Sequence, residues 1–335
     1  MSVNPILLMG GSGAIGHQTA RALRAAYPDV PLLIGGRDLA KAQRAAEQIG
    51  CAQGVVIDST ADDLGLGDRP VSGVVVFYMD HALAGLRYAQ ARGVPHLSIS
   101  SGVFEIAPEI AAYMHTPDAA PIVLGYEWLV GATTVSTLHL AKAFARVHDI
   151  RIHALVDEQD TGGPTVATDF EHLNSMLPAA LTRRDGVYMW RDGEDSTVTF
   201  RAVDGTQTKA SGFSSIDVTG LGAATGAANV QFNMAIGLSS TRRQGKPMST
   251  EILIELAGEG ISGEQLRTRH AVIHPAGAAA LTGLSVSMLL ERLLGLDGQP
   301  ATRPGLYFPY QLLDAAAFLK RLEQEGGELR ELQVY

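Results

Sequence analysis

Near its amino terminus the chain carries Gly10-Gly11-Ser12-Gly13-Ala14-Ile15-Gly16, set between an apolar run, Val3 to Met9, and an amphipathic stretch. From Ala14 to Tyr27, Ile15, Ala22, Leu23 and Ala26 fall on one helical face, while His17, Gln18, Arg21 and Arg24 fall on the other. A strand that turns into a helix through glycines at G-x-G-x-x-G spacing leaves few architectures open. The strand must sit inside a sheet and the helix must lie across it. Gly11 permits the tight turn, Gly13 lets the backbone approach a pyrophosphate, and Gly16 lets the helix lie close to the strand. The amides at the helix start then face phosphate oxygens, aided by the positive end of the helix dipole. Gly10 to Gly16 are therefore the expected dinucleotide loop.

The first third of the chain repeats the same alternation of short apolar run, turn and amphipathic stretch, as in a parallel sheet covered by helices. Pro31 to Gly35 reads as a second strand, followed by a helix capped by Asp38 and stopped by Gly50; Val55 to Asp58 reads as a third. Gly73 to Tyr78 is apolar on both faces and should be central. A helix over Ala82 to Arg92, strands at Leu97 to Ser100 and Pro121 to Leu124, and a helix from about Val130 to Val147 follow. Strand-like alternation then dominates, at Ile150 to Val156, Val187 to Arg191, Val198 to Val203 and Glu251 to Leu256. The expectation is an α/β protein: a Rossmann-type doubly wound parallel sheet in residues 1–130, and a sheet-rich α+β domain for substrate binding and dimerisation in 131–270. Carboxyl-terminal helices in 271–335 would return to the first domain.

An enzyme of this architecture that uses NAD usually ends its second strand in Asp or Glu, which holds the ribose 2′-hydroxyl. Here the segment is Gly35-Gly36-Arg37. A guanidinium at that tip suits a 2′-phosphate, which accepts its planar fork of donors, so the expected cofactor is NADP. Ligands of open parallel sheets lie beyond the carboxyl ends of the strands. That rule adds Asp58 and Ser59 near the adenine end, and Tyr78, Met79, Ser100 and Ser101 toward the ribose and nicotinamide.

Composition narrows the partners. With 335 residues and a formal charge of −9, the chain suits two cores and lacks a broad basic surface for nucleic acid. One cysteine, Cys51, excludes an internal disulfide and reads as a core residue. No signal peptide is visible, which points to the cytoplasm. Residues Ala271 to Leu290 contain no Asp, Glu, Lys or Arg and have the length of a membrane span. His274, Pro275 and a wealth of Ala and Gly favour a helix buried between layers. The expected partners are a small-molecule substrate and a second copy of the chain, with neither nucleic acid nor membrane.

Together the Gly10 to Gly16 loop, Gly36-Arg37-Asp38-Leu39-Ala40-Lys41, and the closing stretch Arg303-Pro304-Gly305-Leu306-Tyr307-Phe308-Pro309-Tyr310-Gln311-Leu312-Leu313-Asp314 resemble the saccharopine dehydrogenase-like NAD(P)-dependent oxidoreductases. The resemblance implies hydride transfer to or from a C=N or C=O group of a small, amino-acid-derived substrate. It also implies a chain that returns to its first domain after the middle sheet. Saccharopine-forming members carry Asp-Pro-Gly after the sixth strand, where this chain has Gly125-Tyr126-Glu127-Trp128-Leu129-Val130-Gly131. That departure argues against saccharopine itself as substrate.

Hydride transfer needs a proton donor or acceptor beside the cofactor. The candidates at strand tips are Tyr126 and Glu127, beyond the sixth strand, and Asp80 and His81, beyond the fourth; Asp80 also reads as a helix cap. His153, Asp157, Glu158, Asp160 and His172 form a second polar group that reads more readily as a solvated edge strand and loop, and Arg183, Arg184 and Arg191 could hold a substrate carboxylate bidentately but as an isolated trio read as surface charges. Competing chemistries lack their residues. None of the nine tyrosines is followed by Lys in Tyr-x-x-x-Lys, Cys51 precedes the third strand, and no His-Glu-x-x-His or cysteine cluster provides metal ligands. An NADPH-dependent reductase and a non-catalytic NADP(H) sensor both fit the sequence.

Overall fold

The computed structural model describes residues 4–99, 106–160 and 179–335. The chain divides into two compact units: residues 1–126 with Thr282–Leu313, and Glu127–Leu281 with Asp314–Tyr335.

The first unit is built on a parallel sheet of β1 (Ile6–Met9), β2 (Leu32–Gly36), β3 (Ala52–Val56), β4 (Gly73–Val76), β5 (His96–Ser98), β6 (Pro121–Leu124) and, from late in the chain, β15 (Gly305–Tyr307). The order is β15-β6-β5-β4-β1-β2-β3, so β4 is the central strand, as its unbroken apolar run requires. α1 (Ala14–Ala26) follows β1, α2 (Leu39–Ile49) follows β2, α3 (Ala84–Arg92) follows β4 and α4 (Ile106–His115) follows β5, while β3 leads to β4 without a helix. The side chains of Leu7, Met9, Leu33, Val74, Val76 and Tyr88 form part of one core cluster. Each such aliphatic residue, fully buried, contributes roughly 1.5–3 kcal/mol.

Local chemistry sets the helix ends. The Asp38 carboxylate accepts the Lys41 amide at 3.0 Å to start α2, and Gly50, at φ +73°, ends it. Asp80 accepts the Gly85 amide at 2.8 Å in the first turn of α3. Cys51, expected in the core, is instead exposed with φ +44°, because it lies in the tight turn into β3 rather than in a strand.

The second unit holds a mixed sheet, β10-β11-β12-β7-β13-β14-β16, with β8 paired to β12 and to β9. Its strands are β7 (Phe144–Asp157), β8 (Ala180–Arg184), β9 (Val187–Arg191), β10 (Thr197–Arg201), β11 (Gln207–Gly212), β12 (Asn229–Gly237), β13 (Thr250–Gly260), β14 (Gln265–His274) and β16 (Glu328–Glu331). Its helices are α5 (Ala132–Ala141), α6 (Asp217–Thr225), α7 (Ser240–Arg243) and α9 (Ala315–Gln324). β7 starts at Phe144, so the helix expected to run to Val147 ends six residues earlier, at Ala141. The cause is β7's pairing with β13 along its length, including the Phe144–Gly260 and Val147–Gly258 partners.

The charge-free stretch Ala271 to Leu290 is not one helix. Ala271 to His274 complete β14, and α8 (Gly277–Leu294) begins where the Asp160 carboxylate accepts the Ala278 amide at 2.6 Å. α8 is long and apolar enough to cross a bilayer, and 78% of its apolar window is buried inside the protein. At Gly283 an added Cβ would lie 2.7 Å from the Gln18 Cβ and 2.8 Å from the Thr19 amide nitrogen, so helices α8 and α1 touch through a missing side chain. The carboxyl-terminal segment, expected to return whole to the first unit, divides after Leu313. β16 pairs with β14 and so belongs to the second sheet.

Arg191, expected at the surface, is only 3% exposed and donates to the Phe232 carbonyl and to Asn233 Oδ1. Arg183 donates to the carbonyls of Gly222 and Ala227, and Arg184 pairs with Asp195.

Each unit also buries an imidazole. Burial pushes His96 and His153 down to about 3 from an ordinary value of 6.5. A depressed folded pKa gives stability that is full above 6.5 and is lost as pH falls toward 3. The melting temperature should therefore drop on acidification from pH 7 to pH 4, and the His153→Phe variant should show a shallower drop; an unchanged slope would remove His153 from the account.

Candidate functional site

The loop between β1 and α1 is shaped by three different glycine requirements. Gly10 has φ +83°, and a Cβ there would sit 3.1 Å from the Tyr78 ring. A Cβ on Gly16 would lie 2.6 Å from Gly11 Cα and 2.8 Å from the Gly10 carbonyl oxygen, so the first turn of α1 rests directly on the loop. Gly13 differs. Its backbone is extended (φ −79°, ψ 173°), and its Cβ would meet only the Gly10 carbonyl oxygen, at 3.2 Å. Gly13 is thus the least crowded of these glycines, although a Cβ there would still press on a backbone oxygen.

Gly13 is the N-cap of α1 and offers no side-chain acceptor, so the first-turn amides of Ala14, Ile15 and Gly16 have no partner within the helix. Ala14 is exposed, and Ser12, Gly13 and Ile15 are half-buried. This is an anion cradle of backbone donors at a helix start, and the residues present fit a dinucleotide pyrophosphate.

At the tip of β2, Arg37 is exposed and, among the described residues, has no hydrogen-bond or ion-pair partner. The Ser12 hydroxyl oxygen would lie 3.9 Å from a Cβ on Gly36, the residue before Arg37. Asp58, beyond β3, is exposed but occupied: it accepts from the Thr60 amide at 2.9 Å and from the Thr60 hydroxyl at 2.6 Å, which hold its carboxyl below the usual range. Ser59 beside it is exposed. Tyr78 and Met79 follow β4 and are half-buried. Burial, together with the Asp80 charge, pushes the Tyr78 hydroxyl up to about 12, with Arg37 opposing. Ser100 and Ser101 lie outside the described residues.

A small cavity opens at the carboxyl ends of β4 and β5, bordered by Tyr78, Asp80, Leu83, His96, Ser98 and Glu109. The Ser98 hydroxyl donates to Glu109 Oε2 at 3.1 Å and lies 2.9 Å from the Tyr126 hydroxyl. All three are nearly inaccessible, at 6%, 4% and 8% exposure. Gly125 makes this geometry attainable. Its amide donates to the Ser98 carbonyl at 2.8 Å, and a Cβ would lie 2.4 Å from that oxygen, so any side chain would push Tyr126 away from Ser98. Burial raises the Glu109 carboxyl above its usual value, with the Tyr126 and Ser98 hydroxyls partly offsetting it. His96, two residues before Ser98 on β5, is held neutral, and its Nδ1 has no hydrogen-bond partner among the described residues.

Of the residues expected to do chemistry, Tyr126 joins this network and Asp80 borders it while also capping α3. His81 is exposed on the turn into that helix. Glu127 is buried and opens the second unit. There the segment that replaces Asp-Pro-Gly adopts left-handed backbone at Leu129 (φ +51°), Val130 (φ +56°) and Gly131 (φ +91°). Non-glycine residues in that region cost about 1–3 kcal/mol each. Asp217, fully buried, holds the turn: it accepts the Trp128 amide at 2.6 Å, the Thr134 hydroxyl at 2.7 Å and the Ser215 hydroxyl. Asp217→Ala is expected to destabilise the protein by on the order of 3 kcal/mol, leaving buried donors unanswered; a denaturant midpoint equal to wild type would contradict this. In the second polar group, Asp157 is engaged by Ser239 and Arg242 and Asp160 by Ala278; His172 lies outside the described residues.

No protein-family model matches the chain, and no curated protein sequence matches it. Solved structures do. The L-Glu-forming saccharopine dehydrogenase from Saccharomyces cerevisiae, in its apo form, superposes with a TM-score of 0.66 at 15% identity, covering 99% of this chain and 100% of that one. Homospermidine synthase from Legionella pneumophila, in complex with NAD, superposes at 0.68 with 9% identity, covering 100% of this chain and 92% of that one. Identities this low speak of architecture, and the architecture is clear: the chain has the fold of the saccharopine dehydrogenase-like oxidoreductases, a parallel Rossmann sheet followed by a mixed sheet.

Proposed function

We propose that the protein is an NADP(H)-dependent oxidoreductase acting on a C=N or C=O group of a small, amino-acid-derived substrate. The observation that carries this reading lies in the first unit: a backbone anion cradle at the start of α1, in which Gly13 is the least crowded glycine, with a buried Ser98–Glu109–Tyr126 network at the carboxyl ends of the same sheet's strands. Tyr78 links the two, packing against Gly10 on one side and bordering the network's cavity on the other. The homospermidine synthase with the same fold was solved with NAD, which supports a nicotinamide cofactor here.

Ala14, Ile15 and Gly16 would donate their amides to the pyrophosphate, while Arg37 and the Ser12 hydroxyl would hold a 2′-phosphate. When bound, the nicotinamide supplies or accepts the hydride. The protein's task is the proton. Burial keeps the Glu109 carboxyl protonated at pH values where an exposed glutamate is ionised. A proton leaving the Tyr126 hydroxyl for a substrate oxygen or nitrogen would be replaced from the protonated Glu109, which is hydrogen-bonded to both Tyr126 and Ser98; oxidation would run the same path backwards.

Two experiments test this. With keto acids plus amines, imines and enones, consumption of NADPH absorbance is expected on at least one substrate; tight cofactor binding with no turnover on any would favour a redox sensor. Arg37→Ala should weaken NADPH binding about tenfold to a hundredfold, as expected for lost charge-assisted hydrogen bonds, and leave NADH nearly unaffected. Equal weakening of both would sink the NADP preference.

A further inference from the structure

The second unit contains a cavity of about 510 Å³ on one face of its sheet, lined by Arg151, Arg201, Arg267 and Arg269 in a chain whose net charge is −9. We propose that it is a binding site for a small metabolite bearing two or more carboxylates. The proposal involves the second unit alone and is independent of the cofactor reading.

The pairing register builds the site. Arg151 on β7, Glu255 on β13 and Arg269 on β14 stand directly across from one another, and Asp149, Ala257 and Arg267 form the next row on the same face. Ala257 sits between two charged neighbours and leaves the floor hollow, beside a register shift at Ala257/Gly258. The aromatic pair Phe200 and His153, stacked at 4.7 Å, forms an apolar part of the lining. The Tyr335 ring lies 4.6 Å from the Arg201 guanidinium and 5.6 Å from that of Arg269.

Charge decides the ligand class. The four arginines of the lining outnumber its two acids, Glu255 and Asp149. Glu255 pairs with Arg269 at 3.0 Å and lies 3.9 Å from His153, and Asp149 accepts from Asn229 at 3.0 Å. Arg269 also donates to the Arg201 carbonyl. His153 is neutral, since burial pushes its pKa down to about 3. Arg201 lies against the Tyr335 ring, and Arg151 and Arg267 are exposed in the lining; among the described residues none of the three guanidiniums has a carboxylate or hydrogen-bond partner, and Arg151 and Arg267 have no ring over them either. Arg151 and Arg267 stand two strands and one row apart, roughly 10 Å across the sheet and roughly 7 Å along it. Two guanidiniums reaching inward over that span match separate carboxylates of one small molecule, each held by a planar fork. A single point anion would satisfy only one.

Calorimetric titration of the full chain with citrate and with glutarate, at constant ionic strength, tests the site, with inorganic phosphate as the single-anion arm. Saturable one-to-one binding of citrate or glutarate is expected, weakened about tenfold or more by Arg151→Gln and by Arg267→Gln. Both positions are exposed, so the variants should keep the wild-type circular dichroism and melting temperature. The proposal is overturned if neither polycarboxylate saturates, if phosphate binds as tightly, or if both variants bind like wild type. It is also overturned if light scattering shows that the substitutions change only the oligomeric mass, which would make this face a contact between copies.

Discussion

Glu109→Gln is expected to lower kcat by about 10²- to 10⁴-fold, the range over which a positioned acid or base contributes, while the Kd for NADPH stays as in wild type. Glutamine fills the same space and still accepts the Ser98 hydroxyl, but it neither gives nor takes a proton. Tyr126→Phe should act similarly, and the double variant should be little worse than either single one, because both interrupt one path. Additive losses would mean that the two residues act separately. Stability supplies a second readout, which reports the burial of Glu109 independently of its part in the chemistry. Because burial raises the Glu109 carboxyl in the folded state, its contribution to stability is full below the ordinary value of 4.5 and is lost as pH rises through the raised pKa. Glu109→Gln should therefore gain melting temperature relative to wild type between acid and neutral pH. A variant with normal kcat would remove the network from the chemistry.

Gly16→Val is expected to abolish dinucleotide binding, raising Kd by at least about a hundredfold. Its Cβ would meet Gly11 Cα at 2.6 Å and the Gly10 carbonyl at 2.8 Å, both backbone, so the loop must move away from the helix start. The same clash threatens folding, which makes Gly13→Val the more informative partner. At 13 an added Cβ would meet one backbone oxygen, at 3.2 Å, against three backbone atoms at 2.6–3.0 Å for Gly16, so melting temperature should fall less than in Gly16→Val while cofactor affinity is lost. If Gly13→Val bound NADPH normally, the loop would be a structural turn rather than a phosphate cradle.

The features legible in the sequence were those whose cause is local. α2 begins at Leu39 after its Asp38 cap and ends at Ile49 before Gly50, as the caps require, and β6 spans Pro121 to Leu124 as its apolar run suggests. β4 is central because only a strand covered on both faces can be apolar at every position. What escaped was set by distant partners. β7 hides inside an apparent helix because β13, a hundred residues on, fixes its first residues in a ladder. β15, three residues long, exists through its parallel pairing with β6.

Glu109 was invisible for the same reason. In Ile106-Ala107-Pro108-Glu109-Ile110-Ala111-Ala112 it reads as the one solvated charge of a short helix, and only Ser98 and Tyr126, brought beside it by β5 and β6, make it a buried acid. A lone carboxylate on an otherwise apolar helix that follows a strand tip was the available signal. Tyr126 was accessible because strand-tip logic points to it directly. The strand–glycine loop–helix turn was legible throughout, though sequence spacing did not show that Gly16 is packed against backbone and Gly13 far less so.

Parallel calorimetric titrations of the wild-type chain with NADPH and NADH test the central claim most directly. Saturable binding of NADPH at one site per chain is expected, about tenfold to a hundredfold tighter than NADH, with the Gly13→Val titration flat. Absence of saturable binding by either nucleotide, or wild-type affinity in Gly13→Val, would contradict it.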